Sequence, residues 1–264
     1  MYKLGILGVG KMGGAILNGI VKSKYYQNNE IMFYTKSLEK HIKYQNDGFV
    51  LANDALDLFK NSQTILIAIK PQMFSEVLEC AKGYNFNGQC VISIAAGKDI
   101  NTIKSYFNSA TIVRAMPNTP SMINYGSTTI CTNNKDNLYY NAINILKTIG
   151  TVTEIEEEQM DISLPLNGSM PAFLYLFAKG FIEKAIKYGI DETKAKELCS
   201  EAIIGSAKMI LESNLPIDTL IDNVCSKGGV TLEGLSKLNE NNFTKAIDEC
   251  YEACIKRAKE LNNK

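Results

Sequence analysis

Three glycines spaced Gly8-x-Gly10-x-x-Gly13, directly after the apolar run Leu4 to Leu7, are arranged to hold a diphosphate. A strand that turns through glycines into a helix exposes unbonded N–H groups at the helix start, where the dipole favours negative charge. Gly8 permits the tight turn, Gly10 lets a pyrophosphate approach the backbone, and Gly13 lets helix and strand pack closely. Such triplets also occur in strand–turn–helix bends that bind nothing, so the flanks decide. Leu4 to Leu7 read as strand, and Ala15 to Val21 carries a helical apolar stripe. Gly8, Val9, Gly10, Lys11, Met12 and Gly13 are therefore the expected cofactor loop. At the end of the second strand, where NAD-binding sheets place an acidic residue on the ribose hydroxyls, the chain has Thr35, Lys36 and Ser37. Two hydroxyls and an ammonium suit a 2′-phosphate, so NADP(H) is expected ahead of NAD(H).

Other groups fall at the ends of later strands. Ala68-Ile69-Lys70-Pro71 follows the fourth, at the carboxyl edge where open α/β sheets bind ligands. Lys70 either contacts cofactor phosphate or ribose or simply caps the strand; the residues leave both open. Ser93-Ile94-Ala95-Ala96-Gly97 ends the fifth with small side chains that admit a flat ring. Pro117-Asn118-Thr119-Pro120 makes a rigid loop suited to the wall of a nicotinamide pocket. Near the far end, Gly228-Gly229-Val230-Thr231 opens a helix with free N–H groups and a first-turn hydroxyl. That is either a receptor for a small carboxylate or an ordinary turn between helices. The single histidine, His41, lies among Glu39, Lys40 and Lys43 on an expected surface helix, so no catalytic role is expected for it. Seven cysteines show no C-x-x-C spacing, and no metal site is expected.

These groups need a scaffold. Residues 2–7, 31–35, 49–51, 64–69, 91–94, 111–114, 127–131 and 151–154 read as strands, with helices over 11–23, 38–46, 54–60, 74–81, 99–107 and 136–148. Alternation of this kind implies right-handed crossovers and a mostly parallel, doubly wound sheet covered on both faces. The expectation is an α/β Rossmann-like domain over residues 1–156, followed by an all-α domain over 157–264. The helices expected there are 157–189, interrupted near Pro165 to Pro171, then 191–213, 217–225, 230–239 and 242–262. Two segments, Pro171 to Ala178 and Ala202 to Leu211, are apolar nearly all round. Such helices must be buried on more than one side, and a helical dimer interface is the expected solution.

The 28 basic and 28 acidic residues are interspersed, giving a net charge of zero, which argues against a nucleic-acid or anionic-membrane partner. No apolar run approaches the roughly 20 residues that span a bilayer, and no signal-peptide pattern opens the chain. A cytoplasmic location is expected.

In order and spacing, several of these segments resemble the pyrroline-5-carboxylate reductase family over essentially the whole chain. The segments are Gly8 to Gly13, Lys70-Pro71, Ser93 to Gly97, Met116 to Pro120, Asn167 to Phe173 and Asp222 to Leu232. The resemblance implies a Rossmann domain, then a helical domain that interlocks with a second subunit, in dimers or rings of dimers. It also implies hydride transfer from NAD(P)H to the imine carbon of a small cyclic imino acid, 1-pyrroline-5-carboxylate, giving L-proline. By matched position, Gly8 to Gly13, Lys70, Pro71, Ile94, Ala95, Ala96, Asn53 and Asn223 would bind cofactor. Glu157, Gly228, Gly229, Val230 and Thr231 would line the substrate site, with the Thr231 hydroxyl on the imine nitrogen. The chain departs from the family pattern at Asn167, Met170, Phe173, Lys227 and Val230. Two other readings stand beside it. A two-domain dehydrogenase acting on a small hydroxy acid would need a catalytic lysine spaced with asparagine, and Lys179 has none at i+4. A non-catalytic NADP-binding relative is the other, motivated by Lys227 and Met170.

Overall fold

Tyr2–Leu7 forms strand β1, and the sheet grows outward from it on both sides. In this computed structural model, which describes residues 1–262, seven more strands follow. They are β2 (Ile31–Tyr34), β3 (Val50–Leu51), β4 (Ser62–Ile67), β5 (Cys90–Ser93), β6 (Thr111–Pro117), β7 (Gly126–Thr132) and β8 (Gly150–Glu154). Their spatial order is β3-β2-β1-β4-β5-β6-β7-β8. Chain order reverses between β1 and β4, which opens a crevice beyond their carboxyl ends. Every neighbouring pair is parallel except β6 with β7. Only residues 118–125 join those two strands, too few for a crossover, so the chain must return antiparallel.

Helices cover both faces: α1 (Lys11–Lys22), α2 (Leu38–Asn46), α3 (Ala55–Asn61), α4 (Phe74–Leu78), α5 (Ile100–Lys104) and α6 (Asn137–Lys147). Alternate residues of the strands feed two separate cores. Leu66, Ile92, Val113 and Ile130 point into one, while Ile65, Ile67, Val91 and Ile112 point into the other. Burial on both faces explains why these strands read as unbroken apolar runs. Asp54, Asp99 and Asp136 accept first-turn N–H groups of α3, α5 and α6 and so fix where those helices begin.

The rest is helical: α7 (Met170–Lys187), α8 (Glu192–Glu212), α9 (Ile217–Val224), α10 (Val230–Glu240) and α11 (Phe243–Asn262). The helix expected over 157–189, interrupted near Pro165 to Pro171, is broken there, and its first part is not regular α-helix. Residues Glu157–Gln159 make one 3₁₀ turn, and the α-helix starts only at Met170. Pro171 has no N–H to offer Asn167 O, and Asn167 bonds elsewhere: its side-chain amide donates to Met116 O and its carbonyl accepts from Asn118 Nδ2. The segment is tied to the end of β6 instead of to its own next turn. By compactness the described residues divide into Met1–Pro171, with residues 255–262, and Ala172–Cys254. Among the described residues, no helix is long and apolar enough to cross a membrane.

Candidate functional site

The β1–α1 turn is built as an anion cradle. Gly8 sits at φ +94°, a conformation that side chains disfavour, and its N–H donates to Tyr34 O at 2.8 Å. A Cβ on Gly13 would lie 2.2 Å from Gly8 O, so only glycine lets α1 come this close. Gly10 is different: a Cβ there would meet nothing within 4 Å. Gly10 also N-caps α1 without a side-chain bond, leaving the first N–H groups of the helix unsatisfied and facing open space. Unbonded donors, a helix dipole and room at Gly10 together fit the diphosphate of a dinucleotide. Val9 is buried behind the turn, Met12 is half-buried, and Lys11 is exposed beside it.

Neighbouring strand ends close around this turn. Ala68 N donates to Leu7 O at 2.9 Å and Ile94 N to Ile67 O at 3.1 Å, extending the ladders past β1 and β4. Ala68 and Ile69 form the floor, since Ala68 O and Ile69 Cγ2 lie 2.8 and 3.0 Å from the Cβ position of Gly8. Beyond β5, Ile94 is half-buried, Ala95 buried and Ala96 exposed. Lys70 is exposed in extended conformation before the 3₁₀ turn Pro71–Met73. Asn53 is exposed, with its N–H and side-chain amide both on Asp57 Oδ2 at 2.9 Å.

At the end of β2, Lys36 is largely exposed, its ammonium 3.8 Å from the equally exposed Glu76. So loose a pair holds Lys36 in place only weakly. Ser37 N-caps α2 without a side-chain bond, and Thr35 O receives His41 Nε2. The histidine thus ties α2 back to β2. Sequence reading passed over Lys40, whose ammonium donates to Val9 O at 2.6 Å. Its position in the first turn of the helix after β2 was the available signal.

Glu157 lies where an ion pair meets a helix start. Its Oε1 accepts the Ile100 N–H at 2.7 Å, at the head of α5, and stands 3.7 Å from Arg114 Nη1. Arg114 is buried and its Nη2 reaches Asp161 at 3.0 Å. This cluster pins the turn between β5 and α5. Asp99, which caps the same helix, has its carboxyl held below the ordinary aspartate range, chiefly by hydrogen bonding from Thr102 and against the opposing effect of burial.

In the helical unit, Gly228 takes φ +70° and Gly229 N-caps α10 with no side-chain bond. A Cβ on Gly229 would fall 2.4 Å from Ser226 Oγ, which can rotate away, and 3.0 Å from Ser226 O, so the turn leaves little room for a side chain there. The N–H groups at the start of α10 are free. Thr231 and Asn223 both line a largely apolar cavity of about 640 Å³ with Leu220, Ile221 and Leu235. Val230 is 90 % exposed. Lys179 is exposed and paired with Glu183 at 3.7 Å, a surface pairing instead of the lysine–asparagine arrangement a hydroxy-acid dehydrogenase would need.

Comparison with known proteins follows the same two parts. Residues 157–261 match the family model for pyrroline-5-carboxylate reductase dimerisation, and residues 3–97 match that for NADP oxidoreductase, coenzyme F420-dependent. The pyrroline-5-carboxylate reductase of Escherichia coli (strain K12) is 30 % identical, the alignment covering 98 % of each chain. That of Staphylococcus aureus (strain COL) is 32 % identical, over 99 % of this chain and 98 % of the other. A crystal structure of Plasmodium falciparum pyrroline carboxylate reductase with NADP bound superposes with a TM-score of 0.88 at 30 % identity, covering 99 % of this chain and 98 % of that one. A glycine cradle at the sheet's switch point, a helical second unit and kinship along nearly the whole length place this chain in the pyrroline-5-carboxylate reductase family.

Proposed function

We propose that this protein reduces 1-pyrroline-5-carboxylate to L-proline with NADPH or NADH, as a self-associated enzyme of the cytoplasm. The observation that carries the reading is kinship running the length of the chain, through both the glycine cradle and the helix start at Gly229. Seven free thiols suit a reducing compartment. The extensively exposed apolar residues of α7 and α8 supply a surface for a second copy, in the segment matched to the dimerisation family.

The bound nicotinamide cofactor supplies the hydride. The imine carbon would accept it while the nitrogen takes a proton from water, relayed by the Thr231 hydroxyl, so that the C=N bond becomes a C–N single bond. What the chain contributes is orientation and charge placement. The free N–H groups at the start of α1 hold the diphosphate, with Lys70, Pro71, Asn53 and Asn223 assigned to the cofactor by matched position. Ala95 and Ala96 leave room for a flat ring against the β5–α5 turn, which the Glu157–Ile100 bond keeps in place. Glu157 is assigned to the substrate side on the same positional basis. Gly229 N already donates to Ser226 O at 2.9 Å, so the N–H groups of Val230 and Thr231, at the start of α10, hold the substrate carboxylate. Thr231 Oγ donates to the imine nitrogen; a neutral hydroxyl polarises or relays and does not serve as a strong acid.

Adding the cyclic imine to enzyme and NADPH is expected to consume NADPH absorbance, and no consumption overturns the reading. Thr231→Ala is expected to lower kcat about tenfold or more, about 1.4 kcal/mol in the barrier. An unchanged kcat removes Thr231 from the mechanism.

A further inference from the structure

Two cations and no carboxylate line a cleft of about 260 Å³ beside the glycine turn, together with Val9, Gly10, Tyr44 and Met122. The cations are Lys11, at the start of α1, and Lys40, in the first turn of α2. Lys40 is half-buried, and its ammonium is held against a neutral acceptor, Val9 O, at 2.6 Å. Among the described residues no carboxylate forms an ion pair with it. Its sequence neighbour Glu39 is exposed and forms no ion pair with it either. An ammonium carries three donors, so one bond to a carbonyl leaves two donors and the full charge unspent. A half-buried, uncompensated cation of this kind costs stability unless an anion completes it.

Position narrows the anion. The β1–α1 and β2–α2 turns are adjacent, because β1 pairs with β2 and Gly8 N bonds Tyr34 O. Lys40, in the first turn of α2, reaches back to Val9 O in the β1–α1 turn, so its free donors lie at the glycine cradle on the side of the β2 end, where dinucleotide-binding sheets meet the ribose. Lys36, the cation the sequence singles out, is largely exposed and leans toward Glu76. We propose that Lys40 is the specificity-determining cation for the 2′-phosphate of NADPH, docked on Val9 O so that it is already in place when the cofactor arrives. This rests on the reading of the protein as an NAD(P)H-dependent reductase.

The test compares wild type with Lys40→Gln and Lys40→Arg in two assays. One is the ratio of kcat/KM for NADPH over that for NADH. The other, free of turnover, is calorimetric affinity for 2′,5′-ADP against 5′-AMP. Lys40→Gln is expected to lower the NADPH/NADH ratio and the 2′,5′-ADP/5′-AMP preference at least tenfold each, with Lys40→Arg restoring most of both. If Lys40 serves only to hold the glycine turn, NADPH and NADH fall together and the nucleotide preference stays put, which overturns the proposal. A ratio lost on Lys36→Gln but kept on Lys40→Gln overturns it as well. Failure of the wild type to use either nucleotide would instead defeat the underlying reading, and the binding preference still decides the role of Lys40.

Discussion

Gly10 and Gly13 stand three residues apart, yet they are glycine for different reasons, and substitution separates them. A methyl on Gly13 would be driven to 2.2 Å from Gly8 O, a backbone atom that cannot step aside. Gly13→Ala is therefore expected to destabilise the protein by about 1–3 kcal/mol, as overpacking does, read as a lower Tm. A methyl on Gly10 meets nothing within 4 Å of protein. Gly10→Ala should leave Tm near that of wild type while weakening NADPH binding at least tenfold, since the methyl fills the space a diphosphate needs. Equal loss of Tm in both variants would show that the open space at Gly10 is not kept for a ligand. Lys40 belongs to this scale too. In the first turn of α2, it looks in sequence like any solvated lysine, and only the bond to Val9 O sets it apart.

At the scale of elements, local chemistry decides where helices begin more firmly than where they end. Asp99 caps α5, and hydrogen bonding from Thr102 depresses its carboxyl pKa in the folded state. A depressed folded pKa contributes stability that is present above the unfolded value, near 3.9, and is lost as pH falls through the folded one. Asp99→Ala is expected to cost about 1 kcal/mol near neutral pH, with the gap to wild type shrinking as the carboxylate is protonated in acid. Urea unfolding at several pH values measures this, and a gap independent of pH would refute the capping account. The eight strands and their alternation with helices were legible because each strand of a doubly covered sheet is an apolar run bounded by polar turns. The glycine cradle was legible for the same local reason. Long-range ties were not. The apolar period continues through Ile103 and Phe107, but the backbone leaves the helix after Lys104. Pro165 and Pro171 mark the break before α7 in the sequence, but the bond from Asn167 to the end of β6, a partner 51 residues away, leaves no local signal. Lys40, Arg114 and Glu157 likewise take their places from partners remote in sequence: Val9 in the β1–α1 turn for the first, and each other for the second and third.

For the whole molecule, the unusual fact is how much apolar surface the helical unit leaves open. Leu176 is 71 % and Leu211 81 % exposed, and a cleft of about 730 Å³ between α7 and α8 is lined almost wholly by apolar side chains such as Phe177, Phe181 and Ile203. A lone chain would carry this as an aggregation hazard, and a second copy removes it from water. The double variant Leu176→Lys, Leu211→Lys is expected to shift a dimer or larger ring to monomer in light scattering, with loss of activity. A wild type that is monomeric at micromolar concentration would contradict the surface's assignment. The central claim, hydride delivery to a cyclic imine, has a more direct test. The protein is given 1-pyrroline-5-carboxylate with NADPH deuterated at the transferable position, and the product is read by mass spectrometry and NMR. The account predicts L-proline carrying one deuterium on the former imine carbon; no proline, or proline without the label, would contradict it.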